Sequence, residues 1–513
     1  MRTENSIRNI SISIFTQIIM TILGFVSRKV FLENLGITYL GVNGLLTNVL
    51  SLLGLLEAGI GSSIVYNLYK PLAERDEDKI IALMQLYKKA YNVLAVVVFI
   101  ASVALYPFLT FMIKSDESIA NLTIVYGIFV IKNVIAYLFS YKWCIINADQ
   151  KGYILSRRNL FFSVFITLTK IGVLYITKSY VLFLMIEVVI TVVQCFYNGK
   201  VVDRLYPYIK EKNKYKLDND TMNNIWKNVR ALFLHNIGGY CVFGTDNLLI
   251  SKFVSVATVG IYSNYTMIIN QLTSLITPIM SGIGASVGNL IATEGEEKSY
   301  SIFNITYLVN FWIYSWCVIF LYNLLNPFIG WIFGKEYLLE NFTFIIILVN
   351  CYLNGLRSSI STFKTKAGIF VQDKYVPILE SLINLCVSIL LAKRIGLVGV
   401  FLGTTISTLS IVFWNSPRLV YKNLFNRPVR EYFKKYVFYV ILTLLSGIIT
   451  TMLCNKVNIG NIFLELCIKG IITILVPNSI YIAIFFKTSE FKYLNSILKT
   501  QLNKITILKK AVN

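Results

Sequence analysis

The sequence predicts an all-α polytopic membrane protein with about 14 transmembrane helices. Of its 513 residues, 56% are hydrophobic and only 14% are charged, whereas soluble globular proteins carry about 25% charged residues. About fourteen apolar stretches are long enough to cross some 30 Å of hydrocarbon. The basic residues collect in every second connection between these stretches, which is typical of membrane proteins with many spans.

The first six predicted spans form an N-terminal six-helix lobe over residues 1–220. No water reaches the hydrocarbon, so backbone groups must pair within each segment, and only a helix achieves this. Arg2 and Arg8 precede the first apolar run, which has no small-residue cleavage site. We therefore interpret it as a span and not as a signal peptide. The six spans cover residues 9–32, 40–67, 90–113, 119–141, 158–177 and 180–199.

Six further spans form a C-terminal six-helix lobe over residues 221–425, and residues 426–513 hold two more spans and a basic tail. The chain also resembles itself at an offset of about 219 residues, which aligns Leu40-Gly41 with Val259-Gly260. An even number of spans separates the two copies, so the lobes are expected to be parallel repeats around a central cavity. The eight spans cover residues 228–250, 255–290, 302–325, 338–358, 375–393, 397–417, 435–454 and 460–486.

Lys and Arg lie mainly on one side of the predicted membrane. Roughly three quarters of the 48 fall in the N-terminus, the even-numbered loops and the C-terminal tail. Both termini and the loop around residues 210–216 are therefore expected to be cytoplasmic, and residues 335–340 external. The same placement accounts for the formal net charge of +22 and attracts anionic lipids, so no nucleic-acid partner is predicted.

One face of the first span is polar. Its members recur at steps of three or four residues: Ser13, Gln17, Thr21, Gly24 and Arg28. Arg28 lies on this face, whereas Lys29 is turned about 100° away. We interpret Gln17, Arg28 and Lys29, together with Asn43 on a polar stripe of the second span, as candidates for substrate binding. Helix packing and snorkelling to the membrane surface are the alternative interpretations.

Ionisable residues in other spans are expected to face water or a partner, because one at the bilayer centre costs at least ~2.5–3.5 kcal/mol. The candidates for lining a cavity or coupling to an ion are Asp246, Glu380, Asn384, His235 and Glu57. His235 shares a helical face with Asp246, which suits a proton relay, although a lone histidine near a helix start is more often packed.

Other ionisable residues are expected to find partners inside the protein. Lys132 and Glu187 lie within spans four and six, where a lone charge is costly. Glu465 and Lys469 are four residues apart on one predicted helix, so they are expected to neutralise each other.

Enzyme chemistry is poorly supported. The chain has no Walker A sequence, no GxSxG elbow and no HExxH motif. One histidine and eight dispersed cysteines give no metal-ligand pattern. No catalytic residue, metal or cofactor is predicted.

Several segments carry a resemblance to a known family. They are GITYLG at 36–41 after a span with Arg28, GTDNLLIS at 244–251, VGIYSNY at 259–265, and the block from Asp373 to Thr404. With these motifs the chain resembles polysaccharide flippases of the Wzx type, in the multidrug/oligosaccharidyl-lipid/polysaccharide exporter superfamily. The resemblance covers almost the whole chain.

The resemblance implies two six-helix lobes with two helices appended, in the bacterial plasma membrane. It implies an undecaprenyl-pyrophosphate-linked oligosaccharide as cargo, moved to the outer leaflet for polysaccharide export by alternating access. Implied partners are membrane lipids and the polysaccharide polymerase and glycosyltransferases of the same pathway. The alternatives are a cation-coupled drug or metabolite antiporter of the same superfamily and, from another class, a membrane-embedded polysaccharide polymerase. The lack of a large external loop argues against the polymerase.

Overall fold

The computed structural model describes residues 2–57, 60–113, 121–149, 151–211, 215, 217–223, 225–227, 229, 244–369, 371–373 and 375–496. Every regular element in this part of the chain is helical, and eleven of its helices are long and apolar enough to cross a membrane. The predicted fold class, an all-α polytopic membrane protein, is confirmed. The chain divides into two compact units, Met1–Ser263 and Asn264–Asn513. The lobe boundaries expected from the sequence stay predictions.

The first unit contains α1 to α7 and the first turns of α8. Asp76 begins α3 by accepting a 3.0 Å hydrogen bond from the Lys79 backbone N–H, and the Ser179 hydroxyl accepts one at the start of α6. Such caps satisfy backbone donors that a helix start leaves without partners. The helices are α1 Arg2–Leu53, α2 Ile60–Glu74, α3 Glu77–Met112, α4 Leu122–Ala148, α5 Tyr153–Thr177, α6 Tyr180–Leu205, α7 Asp246–Phe253 and α8 Val256–Thr293.

The second unit contains the rest of α8 and six further helices. The last two, expected as appended helices, pack on α9 through aromatic side chains: Phe311 stacks on Tyr439 at 4.2 Å, and Trp312 donates a 2.6 Å hydrogen bond to Asn478. Aromatic pairs of this kind add to the stability gained from burial. The helices are α9 Glu296–Ile332, α10 Asn341–Lys366, α11 Val376–Ile395, α12 Leu397–Phe425, α13 Arg430–Asn455 and α14 Ile462–Phe485.

The helix boundaries correct the sequence prediction in several places. Predicted spans one and two share α1, which is interrupted only at Gly36, where φ is +80° and ψ is 178°. The second span does not run on to residue 67, because α1 ends in a 3₁₀ turn at Gly54–Leu56 and α2 begins at Ile60. The polar segment before span three is helical from Glu77. Hydropathy marks where lipid contact ends, whereas caps and glycines decide where a helix ends.

Two glycines that the internal repeat aligns let α1 and α8 approach closely. A methyl group built on Gly41 would fall 1.8 Å from the Val256 carbonyl oxygen, and one on Gly260 would fall 2.4 Å from the Ile37 carbonyl oxygen. Both distances are far inside van der Waals contact, so this approach requires glycine. Ile37 and Val256 are related by the same offset, so the contacts are reciprocal.

Candidate functional site

Arg28 is held in place by a residue of α8. Its Nη1 donates a 2.7 Å hydrogen bond to Ser263 Oγ, and Ser263 Oγ donates a 2.7 Å bond to the Gly260 carbonyl oxygen. The close approach at Gly41 and Gly260 brings these groups within reach. Arg28 is half-buried, whereas Lys29 is exposed on the same face of α1 as Val26.

The hydrogen bond to Ser263 argues against simple snorkelling, because it ties the Arg28 side chain to a neighbouring helix. The residue lies eight positions before the break at Gly36, which is about 12 Å along a helix. Gln17 is further along the same polar face, and its backbone carbonyl accepts a 2.7 Å hydrogen bond from the Thr21 hydroxyl. The side chain of Ser13, which begins the predicted stripe, lies outside the described residues.

The second copy of the repeat has a neutral counterpart of the Arg28 contact. The repeat offset pairs Arg28 with Asn247 and Ser263 with Gly44. A methyl group built on Gly44 would lie 3.9 Å from Asn247 Nδ2, so these two positions also face each other. The contact geometry is repeated but the charge is not. Of these two equivalent contacts, only the one between Arg28 and Ser263 therefore carries a positive charge.

Asn43 faces α6. Its Oδ1 accepts a hydrogen bond of 3.5 Å from the Tyr180 hydroxyl, and its backbone carbonyl accepts one of 2.7 Å from Thr47. Tyr180 is buried and packs edge-on against Phe31 at 5.8 Å. Tyr180 of α6 therefore contacts both Asn43 and Phe31 of α1.

Asp246 is the first residue of α7, where the helix dipole favours a carboxylate. Its Oδ1 is buried and accepts no hydrogen bond within the described part of the chain, and the same holds for Asn247 Oδ1. Buried acceptors without donors are costly and are best satisfied by a proton, a cation or a ligand. His235, the expected relay partner of Asp246, lies outside the described residues.

Glu57 lies at the interruption between α1 and α2. Its Oε1 accepts a hydrogen bond from the Tyr91 hydroxyl, and the Tyr87 hydroxyl donates to Tyr91 at 3.2 Å. The carboxylate is therefore satisfied by a chain of tyrosine hydroxyls on α3. These partners could not be predicted from the sequence, because they come from another helix.

Glu380 and Asn384 lie in the second unit, on the face of α11 towards α10 and α12. Glu380 is 3% exposed and accepts hydrogen bonds from both Nη1 (2.8 Å) and Nη2 (3.3 Å) of Arg357 on α10. Asn384 Nδ2 donates to Thr404 Oγ1 at 3.1 Å, while Asn384 Oδ1 has no hydrogen-bond partner in the described residues. The two candidates thus belong to one polar contact among α10, α11 and α12. Arg357 was not among the predicted partners.

The charged groups that were expected to find partners inside the protein are paired. Lys469 Nζ lies 2.5 Å from Glu465 Oε1, as the spacing predicts. Glu187 of α6 contacts Lys132 of α4, and it also contacts Lys170 of α5, which sequence reasoning missed. A pair within one helix is visible in the sequence, whereas a pair between helices requires their packing.

No protein-family model and no curated protein matches the chain. Solved structures nevertheless share its fold. The structure described as lipid II flippase MurJ in an inward closed conformation is 14% identical, with a TM-score of 0.66 over 93% of this chain and 99% of that one. An inward-facing multidrug resistance MATE family transporter of the MOP superfamily is 13% identical, with a TM-score of 0.55 over 78% of this chain and 94% of that one.

A MATE transporter from Vibrio cholerae, VcmN, is 11% identical, with a TM-score of 0.58 over 83% of this chain and 99% of that one. Identities this low establish the shared fold alone. The chain therefore has the fold of MOP-superfamily transporters and is a multi-pass membrane protein. These three similar structures are of transporters or flippases. The finer resemblance to Wzx-type flippases stays a prediction.

Proposed function

We propose that the protein is a flippase that moves undecaprenyl-pyrophosphate-linked oligosaccharides from the inner to the outer leaflet of the bacterial plasma membrane. The observation that carries the proposal is the placement of Arg28: a half-buried guanidinium on the polar face of α1, held by a hydrogen bond to Ser263 of α8. A planar guanidinium matches phosphate oxygens with two parallel hydrogen bonds, which a lysine ammonium does not.

The cargo suits a transporter of this fold. The polyprenyl tail remains in lipid while the charged sugar head crosses through a hydrated path, as two lobes alternate in access around a binding site. An inside-negative membrane potential drives negative charge outward, and this contributes about 2.3 kcal/mol per charge per 100 mV. The membrane potential therefore assists export without a bound nucleotide.

A cation-coupled drug or metabolite antiporter is the second candidate function. The buried Asp246 Oδ1, which accepts no hydrogen bond from the described residues, favours it. A carboxylate in that setting suits a coupling proton or cation. The fold shared with MATE transporters is compatible with either function.

Transport by purified protein in vesicles separates the two functions. The vesicles hold either an undecaprenyl-pyrophosphate-linked disaccharide with a fluorescent sugar or a cationic dye under an imposed pH or sodium gradient. A flippase moves the lipid-linked sugar to the opposite leaflet faster than protein-free vesicles do, and it leaves the dye distribution unchanged. Gradient-driven dye movement without lipid movement would establish the antiporter instead.

A further inference from the structure

Three charged side chains from three helices meet inside the first unit. Glu187 on α6 accepts from Lys132 Nζ at Oε1 and from Lys170 Nζ at Oε2, so each lysine occupies one carboxylate oxygen. We call these residues the Lys-Glu-Lys triad. Within the described part of the chain, neither lysine forms an ion pair with a second carboxylate. The triad therefore carries one excess positive charge.

The triad lies deep in the membrane-spanning part of its helices. Lys132 is ten residues from the start of α4 at Leu122, which is about 15 Å along the helix. Lys170 and Glu187 are each seven residues from a helix end, at Thr177 and Tyr180, or about 10 Å. An excess charge at this depth requires water or a negatively charged ligand.

The excess charge is accessible at Lys132. Lys170 is 15% exposed, and its ammonium lies 3.9 Å from the centre of the Phe183 ring, which adds a cation–π contact. Lys132 is 42% exposed. Ile124, Ile131 and Leu138 form an exposed apolar stripe along α4, which is the surface expected to face lipid. Lys132 is turned about 100° from Ile131 around the helix, so its side chain leaves the helix on a different face from that stripe.

We propose that Lys132 binds an oxyanion, a carboxylate or phosphate, on the head group of the transported lipid, while Glu187 and Lys170 hold the Lys132 side chain in position. This proposal rests on the proposed function and names a second anion site, separate from Arg28. The two sites lie in the same group of packed helices. Phe31 is one turn after Arg28, and the centre of its ring lies 5.2 Å from the centre of the Phe183 ring, which is the ring that Lys170 contacts.

Lys132→Gln tests the site with little risk to folding, because it leaves Glu187 and Lys170 as a balanced pair. The protein is reconstituted in vesicles with two probes: undecaprenyl-pyrophosphate-linked disaccharides that end in glucuronic acid or in glucose. Lys132→Gln is expected to slow the acidic probe at least tenfold, and Lys132→Arg is expected to restore it. Lys469→Gln is the matched control, since it also removes an ion-paired lysine inside a span.

The two probes distinguish the source of the oxyanion. A loss confined to the glucuronic acid probe identifies an acidic sugar, and an equal loss for both probes identifies the pyrophosphate. Wild-type rates for both probes in Lys132→Gln would overturn the site. If the wild-type protein moves neither probe, the proposed function fails. In that case, the anion site is tested separately by measuring how tightly the acidic probe binds the detergent-purified protein. An affinity for Lys132→Gln equal to that of the wild type overturns the site, and a tenfold loss supports it.

Discussion

Arg28 and Ser263 are 235 positions apart, yet Arg28 Nη1 donates a 2.7 Å hydrogen bond to Ser263 Oγ. The bond joins α1 to α8 beside the glycine contact of Gly41 and Gly260, so equivalent segments of the internal repeat build the surroundings of the arginine. The reciprocal position holds Asn247 and Gly44. The backbone contact is therefore present in both copies of the repeat, whereas the charged side chain is present only in the first.

Gly41→Ala is expected to destabilise the protein, because the added methyl group would collide with the Val256 carbonyl oxygen, a backbone atom that cannot rotate away. Overpacking of this kind costs about 1–3 kcal/mol. The thermal unfolding midpoint of the detergent-purified protein measures it. Gly127→Ala is the matched control within α4, since nothing lies within 4 Å of its new methyl group. Equal midpoints for the two variants would contradict the close approach of α1 and α8.

Glu380→Gln is expected to destabilise the second unit by about 3 kcal/mol, because removal of one partner leaves the Arg357 guanidinium without its buried carboxylate. Glu297→Gln is the control. It breaks the Arg427 contact of a carboxylate that is 85% exposed, and solvent screens such surface pairs, so they add little to stability. The midpoint of the unfolding transition is measured for both. An equally small shift in both variants would show that the Arg357 pair adds little to stability.

Asp246→Asn is expected to raise stability and lower transport. The native carboxylate has a buried Oδ1 that accepts no hydrogen bond from the described residues, and replacing a charged group there with a neutral one removes a desolvation cost of about 1 kcal/mol or more. Residues that a protein needs for function often lower its stability. Thermal unfolding and the vesicle assay are run on the same preparation. Reduced stability with normal transport would remove Asp246 from the functional candidates.

The membrane topology predicts opposite labelling of two exposed loop positions. On a cysteine-free background, Lys335→Cys is expected to react with an impermeant maleimide in intact cells, and Lys210→Cys only after the cells are opened. Both side chains are exposed at the protein surface. If Lys210→Cys does not react in intact cells, the membrane is therefore the barrier, and burial within the protein is not. Labelling of Lys210→Cys in intact cells would reverse the predicted orientation.

The sequence predicts the helices well because apolar length and basic loops are properties of one segment at a time. It also predicts the Glu465 and Lys469 pair, whose partners lie on one helix. The partners of Glu187 and Glu380 required the structure, because Lys170 and Arg357 come from neighbouring helices whose relative rotation no periodicity encodes. The glycine contact was predictable only in part. The repeat aligns Gly41 with Gly260 in the sequence, but the structure was needed to show that the two residues lie against each other.

Flipping of an undecaprenyl-pyrophosphate-linked disaccharide by Arg28 variants tests the central claim most directly. Arg28→Lys keeps the charge but loses the paired hydrogen-bond geometry, so a clear reduction is expected, and Arg28→Ala is expected to be slower still. Lys29→Ala, beside it on the exposed face, serves as a comparison at the neighbouring position. Rates are normalised to the amount of folded protein in the vesicles. The account predicts that the rate falls from wild type through Arg28→Lys to Arg28→Ala, and a wild-type rate for Arg28→Ala would contradict it.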